Sequence, residues 1–537
     1  MPQPFRVLIS DEMSPRAAEI LGASPKIQVD VRAGLTAGDL ESVIGDYHGL
    51  LVRSRSKVTA KIIDKAGKLE IIGRAGIGVD NIDVVAASRR GILVENAPSG
   101  NSVTTAEHAL CLLLSLARHI AQATASMKNG KWEKTKFEGS EIMGKTLGII
   151  GLGNIGRIVC DRAQGLKMKV VAFDPFMSKE AADRLGAELL TLDELLPRAD
   201  FITLHTPLTE QTKNLLDRAN LARCKKGVLI VNAARGGIID DAALIEALDS
   251  GQVGGAALDV FPEEPVPAGY PVVAHAKVIC TPHLGASTAE AQEKVAIEVA
   301  EQMLAYVERG EVVNAVNVAA VSAEAKDRMA PWLELARALG ALVGQISRGD
   351  GAGFADQLAI EVTGEPSEVA NACTTAALKG LLGHFMDVPV NDVNARVIAA
   401  DRGLEISEVK KSRDRDLTSA IAVSARVGGA VRTVRGTLFH LGQRVEPRVV
   451  QIDDYVVEVT PRGTLLAVTN RDQPGVIGAV GTLLGSKGIN VNSLTVGQDA
   501  ARRTALALWN LATDPADELV TAIRGLALIE SARVIKL

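Results

Sequence analysis

Short apolar, partly β-branched runs alternate with longer segments of helical spacing from the first residues to about residue 309. The runs at 7–10, 27–31, 49–52, 69–73, 146–150, 169–173, 200–205, 227–232, 254–260 and 278–281 predict strands, and segments such as 15–22, 37–44 and 157–165 predict helices. This alternation predicts α/β architecture with doubly wound parallel sheets. The segment 101–121 reads as one long helix, with Thr104 and Glu107 as a capping box and a face of leucine and alanine, suited to a connector or a subunit interface. A polar excursion over 125–137 follows, carrying Lys128, Lys131, Trp132, Lys134 and Lys136. Ser287 with Glu290 caps a last helix long enough to return to the first unit.

After about residue 317 the pattern changes. Helical stretches at 330–346, 367–385 and 391–402, with strands at 358–363, 420–427 and on to 459, predict an α+β domain. Its cationic stretch Lys410-Lys411-Ser412-Arg413-Asp414-Arg415 is offset by nearby acids and reads as a solvated face. From residue 463 the order is strand, helix, strand, strand, helix, strand, a ferredoxin-like unit.

Composition narrows the class. A 537-residue chain with 47% hydrophobic and 23% charged residues is an ordinary globular protein of several domains. A net charge of −5 gives no electrostatic reason to expect nucleic acid or an anionic membrane. Five scattered cysteines without a CxxC pair predict buried thiols in a reducing cytoplasm and no metal site. No secretory h-region opens the chain, and the apolar run at 109–117 is too short for a membrane span.

The chemistry centres on Gly151-Leu152-Gly153-Asn154-Ile155-Gly156, a GxGxxG between a strand and a helix. Gly151 suits the tight turn, Gly153 lets backbone approach a pyrophosphate, and Gly156 lets helix and strand pack closely. The N–H groups opening the helix attract phosphate. Asp174, ending the next strand, suits an adenosine ribose and repels a 2′-phosphate, which favours NAD over NADP. Arg53 and Arg74 stand at strand ends, the second beside the glycine-rich run through Gly76, and predict anion binding. Arg235, Glu264 and His283 follow three successive strands. Oxidising an alcohol with NAD requires a proton acceptor, and histidine suits that near neutral pH. A carboxylate on its other nitrogen raises its pKa, and an arginine holds a carboxylate and polarises the adjacent carbonyl.

The runs 73–83, 151–156, 232–237, 257–265 and 282–288 resemble the signatures of D-2-hydroxyacid dehydrogenases. With its extra C-terminal domains, the whole chain is similar to the long-form branch of that family, which oxidises 3-phosphoglycerate to 3-phosphohydroxypyruvate at the start of serine biosynthesis. The resemblance implies two Rossmann-like domains, the first discontinuous (1–98 with 297–320, around an NAD domain at 99–296). An intervening domain at 321–459, anion-binding in some members, and an ACT-like domain at 460–537 would complete a homo-oligomer, a dimer or a tetramer. It implies that Arg235 orients the substrate, that His283 is acid/base and that Glu264 is its partner. Arg53, Ser54, Arg74 and the backbone near Gly76 would hold substrate, and Lys134 would reach the phosphate of a neighbouring subunit's ligand. NAD would meet Ile77, Asn154, Ile155, Asp174, Thr206, Ala233, Asp259 and Gly285 besides the glycine turn. An effector such as L-serine would meet Asn470, Asp472 and Asn490. The competing expectations are a glyoxylate or hydroxypyruvate reductase of the same family, and a non-enzymatic NAD-sensing interaction protein.

Overall fold

The computed structural model describes residues 3–319, 323–347, 354–386, 389–412, 416–442, 444–499 and 501–537. Strands β1 (Phe5–Ile9), β2 (Ile27–Val31), β3 (Gly49–Val52), β4 (Ile71–Arg74) and β5 (Leu93–Asn96) form a parallel sheet in the order 2-1-3-4-5. Strands β6 (Thr146–Ile150), β7 (Lys169–Phe173), β8 (Glu188–Leu189), β9 (Phe201–Leu204), β10 (Val228–Asn232), β11 (Val253–Leu258) and β12 (Val278–Cys280) form a second parallel sheet, in the order 12-11-10-9-6-7-8. Every residue of β3 and β9 is buried, so these strands read as unbroken apolar runs rather than alternating ones. The order reverses between β6 and β9, and ligands of open α/β sheets bind at such a switch point.

Two helices tie the sheets together. The first is Ser102–Ala117, whose Leu112, Leu113 and Leu116 share a core with Leu147, Ile149 and Val231 of the second sheet. It is shorter than the sequence predicts. His119 takes a left-handed backbone (φ 53°), and a second helix, Ile120–Lys128, leaves at 64°. Thr104 lies inside the first turn and caps nothing; the helix opens after Asn101, and the Thr105 hydroxyl bonds back to the Asn101 carbonyl. The second tie is Ala289–Arg309, capped by Thr288, whose hydroxyl accepts from the Ala291 N–H, rather than by the preceding Ser287. Its Val299 and Met303 return to the core of the first sheet. Beside this return lies Glu95 of β5, fully buried: Oε1 accepts from the Val313 N–H at 3.0 Å, while Oε2 has no hydrogen-bond partner among the described residues. Burial pushes its carboxyl up to about 7.

The third sheet comprises β13 (Gln357–Thr363), β14 (Glu405–Lys411), β15 (Ala420–Val427), β16 (Ala430–Leu441), β17 (Arg444–Ile452) and β18 (Tyr455–Val459), in the order 14-13-15-16-17-18. Lys410 and Lys411 belong to its edge strand β14, solvated but ordered against β13, with Lys411 paired to Glu361 at 2.7 Å; residues 413–415 of that cationic stretch lie outside the described residues. The fourth sheet, β19 (Thr464–Arg471), β20 (Val491–Asp499), β21 (Thr504–Leu511) and β22 (Ile529–Lys536), has the order 20-21-19-22 with helices Val476–Ser486 and Asp517–Arg524, a ferredoxin-like topology. Alternation serves both of its faces. Leu466, Val468 and Trp509 pack under its helices, whereas Leu465, Ala467, Leu506 and Leu508 join the core of the third sheet. That third unit rests on the first: Asn391 Nδ2 donates to the Gly91 carbonyl at 2.8 Å, Arg89 pairs with Asp401, and Val393 enters the first sheet's core.

Candidate active site

The glycine turn follows β6 at the switch point. Gly151 has φ 96°, and a Cβ on it would lie 2.5 Å from the His205 carbonyl, so the loop after β9 sits directly on the turn. A Cβ on Gly156 would lie 2.0 Å from the Gly151 carbonyl, which fixes how closely the helix Asn154–Gly165 approaches the strand. Gly153, by contrast, faces open space. Asp174 accepts from the Leu152 N–H at 2.8 Å and the Phe176 N–H at 2.9 Å, joining the end of β7 to the turn. Thr206 Oγ1 is buried beside the turn without a partner among the described residues. An open cradle of amides at a helix start, an acid at the next strand's end and an orphan hydroxyl fit a dinucleotide pyrophosphate and ribose. Asn154 and Ile155 open that helix, Ala233 is buried at the end of β10, and Ile77 lies on the facing loop of the first sheet.

Across the crevice, His283 Nδ1 and Glu264 Oε2 meet at 2.7 Å. Glu264 also accepts from the Phe261 N–H at 3.0 Å. The hydrogen bond to Glu264 lifts the His283 pKa above that of a free imidazole, against partial burial and the charge of Arg235. Burial pushes the Glu264 carboxyl up, but the His283 and Phe261 bonds outweigh it and hold the group below its ordinary value. His283 is itself left-handed (φ 54°), an uncommon conformation for a residue with a side chain. What holds it there is Asp259. The His283 N–H donates to the Asp259 carbonyl at 2.9 Å, and the Leu284 and Gly285 N–H groups donate to its carboxylate at 2.7 and 2.9 Å. That carboxylate is fully buried and also bonds His108 Nε2 and the Thr281 hydroxyl. Asp259 and Gly285, both expected against NAD, are thus joined by a hydrogen bond in the turn that carries His283. His108 escaped notice because it sits in an apolar helix 151 positions away from its partner.

Three cations gather where the two lobes meet. Arg74 ends β4 and folds its guanidinium over Gly76, where a Cβ would lie 1.8 Å from Nη1. Its Nε is buried without a partner among the described residues, and burial, together with the charges of Arg235 and Arg53, pushes its pKa down to about 10. The Arg53 N–H donates to Asp11 Oδ2 at 2.7 Å, its side chain donates to the Glu12 carbonyl at 2.9 Å, and Ser54 follows, exposed. Arg235, after β10, donates from Nη1 to the Ala234 carbonyl and from Nε to Asp80 at 3.0 Å. The charge and geometry of such a cluster suit an anion.

Two groups of predicted residues stand apart. Lys134 opens the exposed turn Lys134–Phe137 next to Trp132, which is 81% exposed. Asn470 pairs with Ala505 near one end of the fourth sheet, with Asp472 just beyond, whereas the Asn490 carbonyl accepts from Ala512 at the other end. Seven residues of β21 separate them, roughly 23 Å of strand, so one chain does not bring Asn490 to Asn470.

Comparison with known proteins identifies the family. Residues 110–285 match the family model of the NAD-binding domain of D-isomer specific 2-hydroxyacid dehydrogenases, the class that the fold and the crevice define. Residues 328–453 match the D-3-phosphoglycerate dehydrogenase intervening domain. D-3-phosphoglycerate dehydrogenase of Synechocystis is 41% identical over 534 residues, 99% of this chain and 95% of that one, and the Bacillus subtilis protein of that name is 40% identical over 99% and 100%. Among solved structures, a glyoxylate reductase from Paecilomyes thermophila superposes with a TM-score of 0.54 at 28% identity, covering 59% of this chain and 99% of that one. A D-lactate dehydrogenase from Aquifex aeolicus, complexed with NAD and lactic acid, gives 0.51 at 25% identity, over 58% and 98%. The chain belongs to the D-3-phosphoglycerate dehydrogenase family. It is an NAD-dependent oxidoreductase.

Proposed function

We propose that this chain oxidises 3-phosphoglycerate to 3-phosphohydroxypyruvate, the first step of serine formation. The observation that carries the reading is the meeting, across one crevice, of the cation cluster Arg53, Arg74 and Arg235 with the His283–Glu264 pair. A phosphorylated acid carries two anionic groups, and the cluster has cations for both. Arg235 holds the carboxylate and polarises the carbonyl as it forms; Arg53, Ser54, Arg74 and the backbone at Gly76 hold the rest of the acid. With Nδ1 on Glu264, the free Nε2 of His283 takes the hydroxyl proton, and the Glu264 carboxylate stabilises the resulting imidazolium. Bound along Gly151, Gly153, Gly156, Asn154, Ile155, Asp174 and Thr206, the dinucleotide supplies the hydride acceptor. Ile77, Ala233, Asp259 and Gly285 complete its walls, and Asp259 also supports the turn beneath His283.

The domain boundaries that go with this reading are 1–98 with 297–320, 99–296, 321–459 and 460–537. The separation of Asn490 from Asn470 and Asp472 within one chain supports an effector site shared by two copies of an ACT-like unit, with L-serine as the expected ligand. Exposed Lys134 and Trp132 fit the same picture of a homo-oligomer, a tetramer, in which one subunit's lysine reaches its neighbour's ligand. Five unpaired cysteines support a cytoplasmic setting. Absorbance at the NADH band with 3-phosphoglycerate tests the activity; kcat/KM for glycerate at or above that for 3-phosphoglycerate would move the assignment to a hydroxypyruvate or glyoxylate reductase.

A further inference from the structure

Arg235 is held by a residue of the opposite lobe. Asp80 stands in the loop after β4 of the first sheet, and its Oδ2 accepts from Nε of Arg235, which follows β10 of the second sheet, at 3.0 Å. The loop between is shaped for this contact. A Cβ on Gly78 would lie 2.0 Å from Arg235 Nη2 and 2.8 Å from Asp80 Oδ2. With Nη1 on the Ala234 carbonyl, two edges of the guanidinium are fixed by the chain itself.

Stability does not explain the pair. Asp80 is 72% exposed and Arg235 28%, and ion pairs of that exposure contribute at most about 1 kcal/mol. Electrostatics does explain it. The charges of Arg53 and Arg235 both press on Arg74, and Asp80 is one of the two acids, with Asp11, whose charge relieves Arg74. An incoming carboxylate therefore meets an arginine that already has an anion.

We propose that Asp80 is a positioning residue: a resident counter-ion that aims Arg235 across the crevice and weakens the cluster's grip on small anions, so that a ligand must bring two anionic groups to bind well. The inference rests on the cluster being the acid-binding site.

The test is Asp80→Asn in the full chain, which keeps shape and removes charge. Inorganic sulfate is titrated by calorimetry into the NAD-loaded wild type and variant, and steady-state kinetics are run alongside. Sulfate binds roughly fivefold tighter in the variant, the order expected when one unit charge is removed about 8 Å from a dianion in a watery site. At the same time kcat falls severalfold while KM for the acid stays level or drops, because binding is retained and aim is lost. A merely structural role would not tighten sulfate. A variant that binds sulfate no tighter, or binds it tighter yet keeps the wild-type kcat, overturns the proposal. Tightening of undiminished size in an Arg235→Ala background also overturns it, since the effect would then not pass through Arg235. The sulfate arm is read without turnover, so a wild type that fails to oxidise 3-phosphoglycerate would count against the substrate and leave the ion pair's role still measured.

Discussion

The imidazole of His283 and the carboxylate of Glu264 face each other at 2.7 Å, Nδ1 to Oε2, and this leaves Nε2 as the nitrogen free to exchange a proton. His283→Ala lowers kcat for oxidation by about 10²–10⁴-fold, with NAD affinity unchanged by calorimetry. Full turnover in that variant removes His283 from proton transfer.

The pH dependence follows with a definite sign. Glu264 raises the His283 pKa, and oxidation needs the neutral imidazole, so the acid limb of kcat/KM lies above the position of a free imidazole. Glu264→Gln moves that limb to lower pH. In the reverse direction, which needs the imidazolium, the same variant loses activity at a lower pH than the wild type. Limbs that stay in place in both directions separate the two residues.

Two glycines of one turn give opposite outcomes. Gly156→Ala puts a methyl 2.0 Å from the Gly151 carbonyl and destabilises the second lobe by about 1–3 kcal/mol, visible as a lower Tm. Gly153→Ala meets open space, so Tm holds while NAD binding weakens by roughly tenfold or more, about 1.4 kcal/mol. Equal losses of Tm in the two variants contradict this division.

Asp174 places a negative charge beside the turn, tied to the Leu152 N–H. Asp174→Ser reduces the ratio of kcat/KM for NAD over NADP, measured with both cofactors at saturating acid; an unchanged ratio assigns the preference elsewhere.

Glu95 makes stability depend on pH. Its carboxyl is raised from 4.5 to about 7 by burial, so above the unfolded value the unfolded chain ionises first and the native state loses ground until pH passes the folded value. At pH 8 the cost is about 3 kcal/mol. Glu95→Gln therefore raises Tm at pH 8 and leaves it unchanged at pH 4, below both values. A gain of equal size at both pH values points to packing instead.

Most of the catalytic half was legible because parallel strands buried on both faces spell continuous apolar runs: β3, β6 and β7 begin and end where the pattern says, and edge strand β2 does so by alternation. The strand ends then carry Arg74, Arg235 and His283 into one crevice. The failures have a common physical cause, contacts between distant segments. The helix from Ser102 stops at Ala117 because the backbone turns left-handed at His119, which no propensity announces. Edge strand β14 is charged and half-solvated, so it lacks the alternation that marks a strand. Asp80, His108 and Glu95 acquire meaning only through Arg235, Asp259 and Val313, each far away in the chain.

The fourth sheet has no loose face: one side is under its own helices and the other is fused into the third sheet's interior. A molecule captured at the tail thus cannot swing that module alone; it must tilt both C-terminal units together. The lever they form ends on the Gly91 turn and Arg89, on the lobe built around the first sheet.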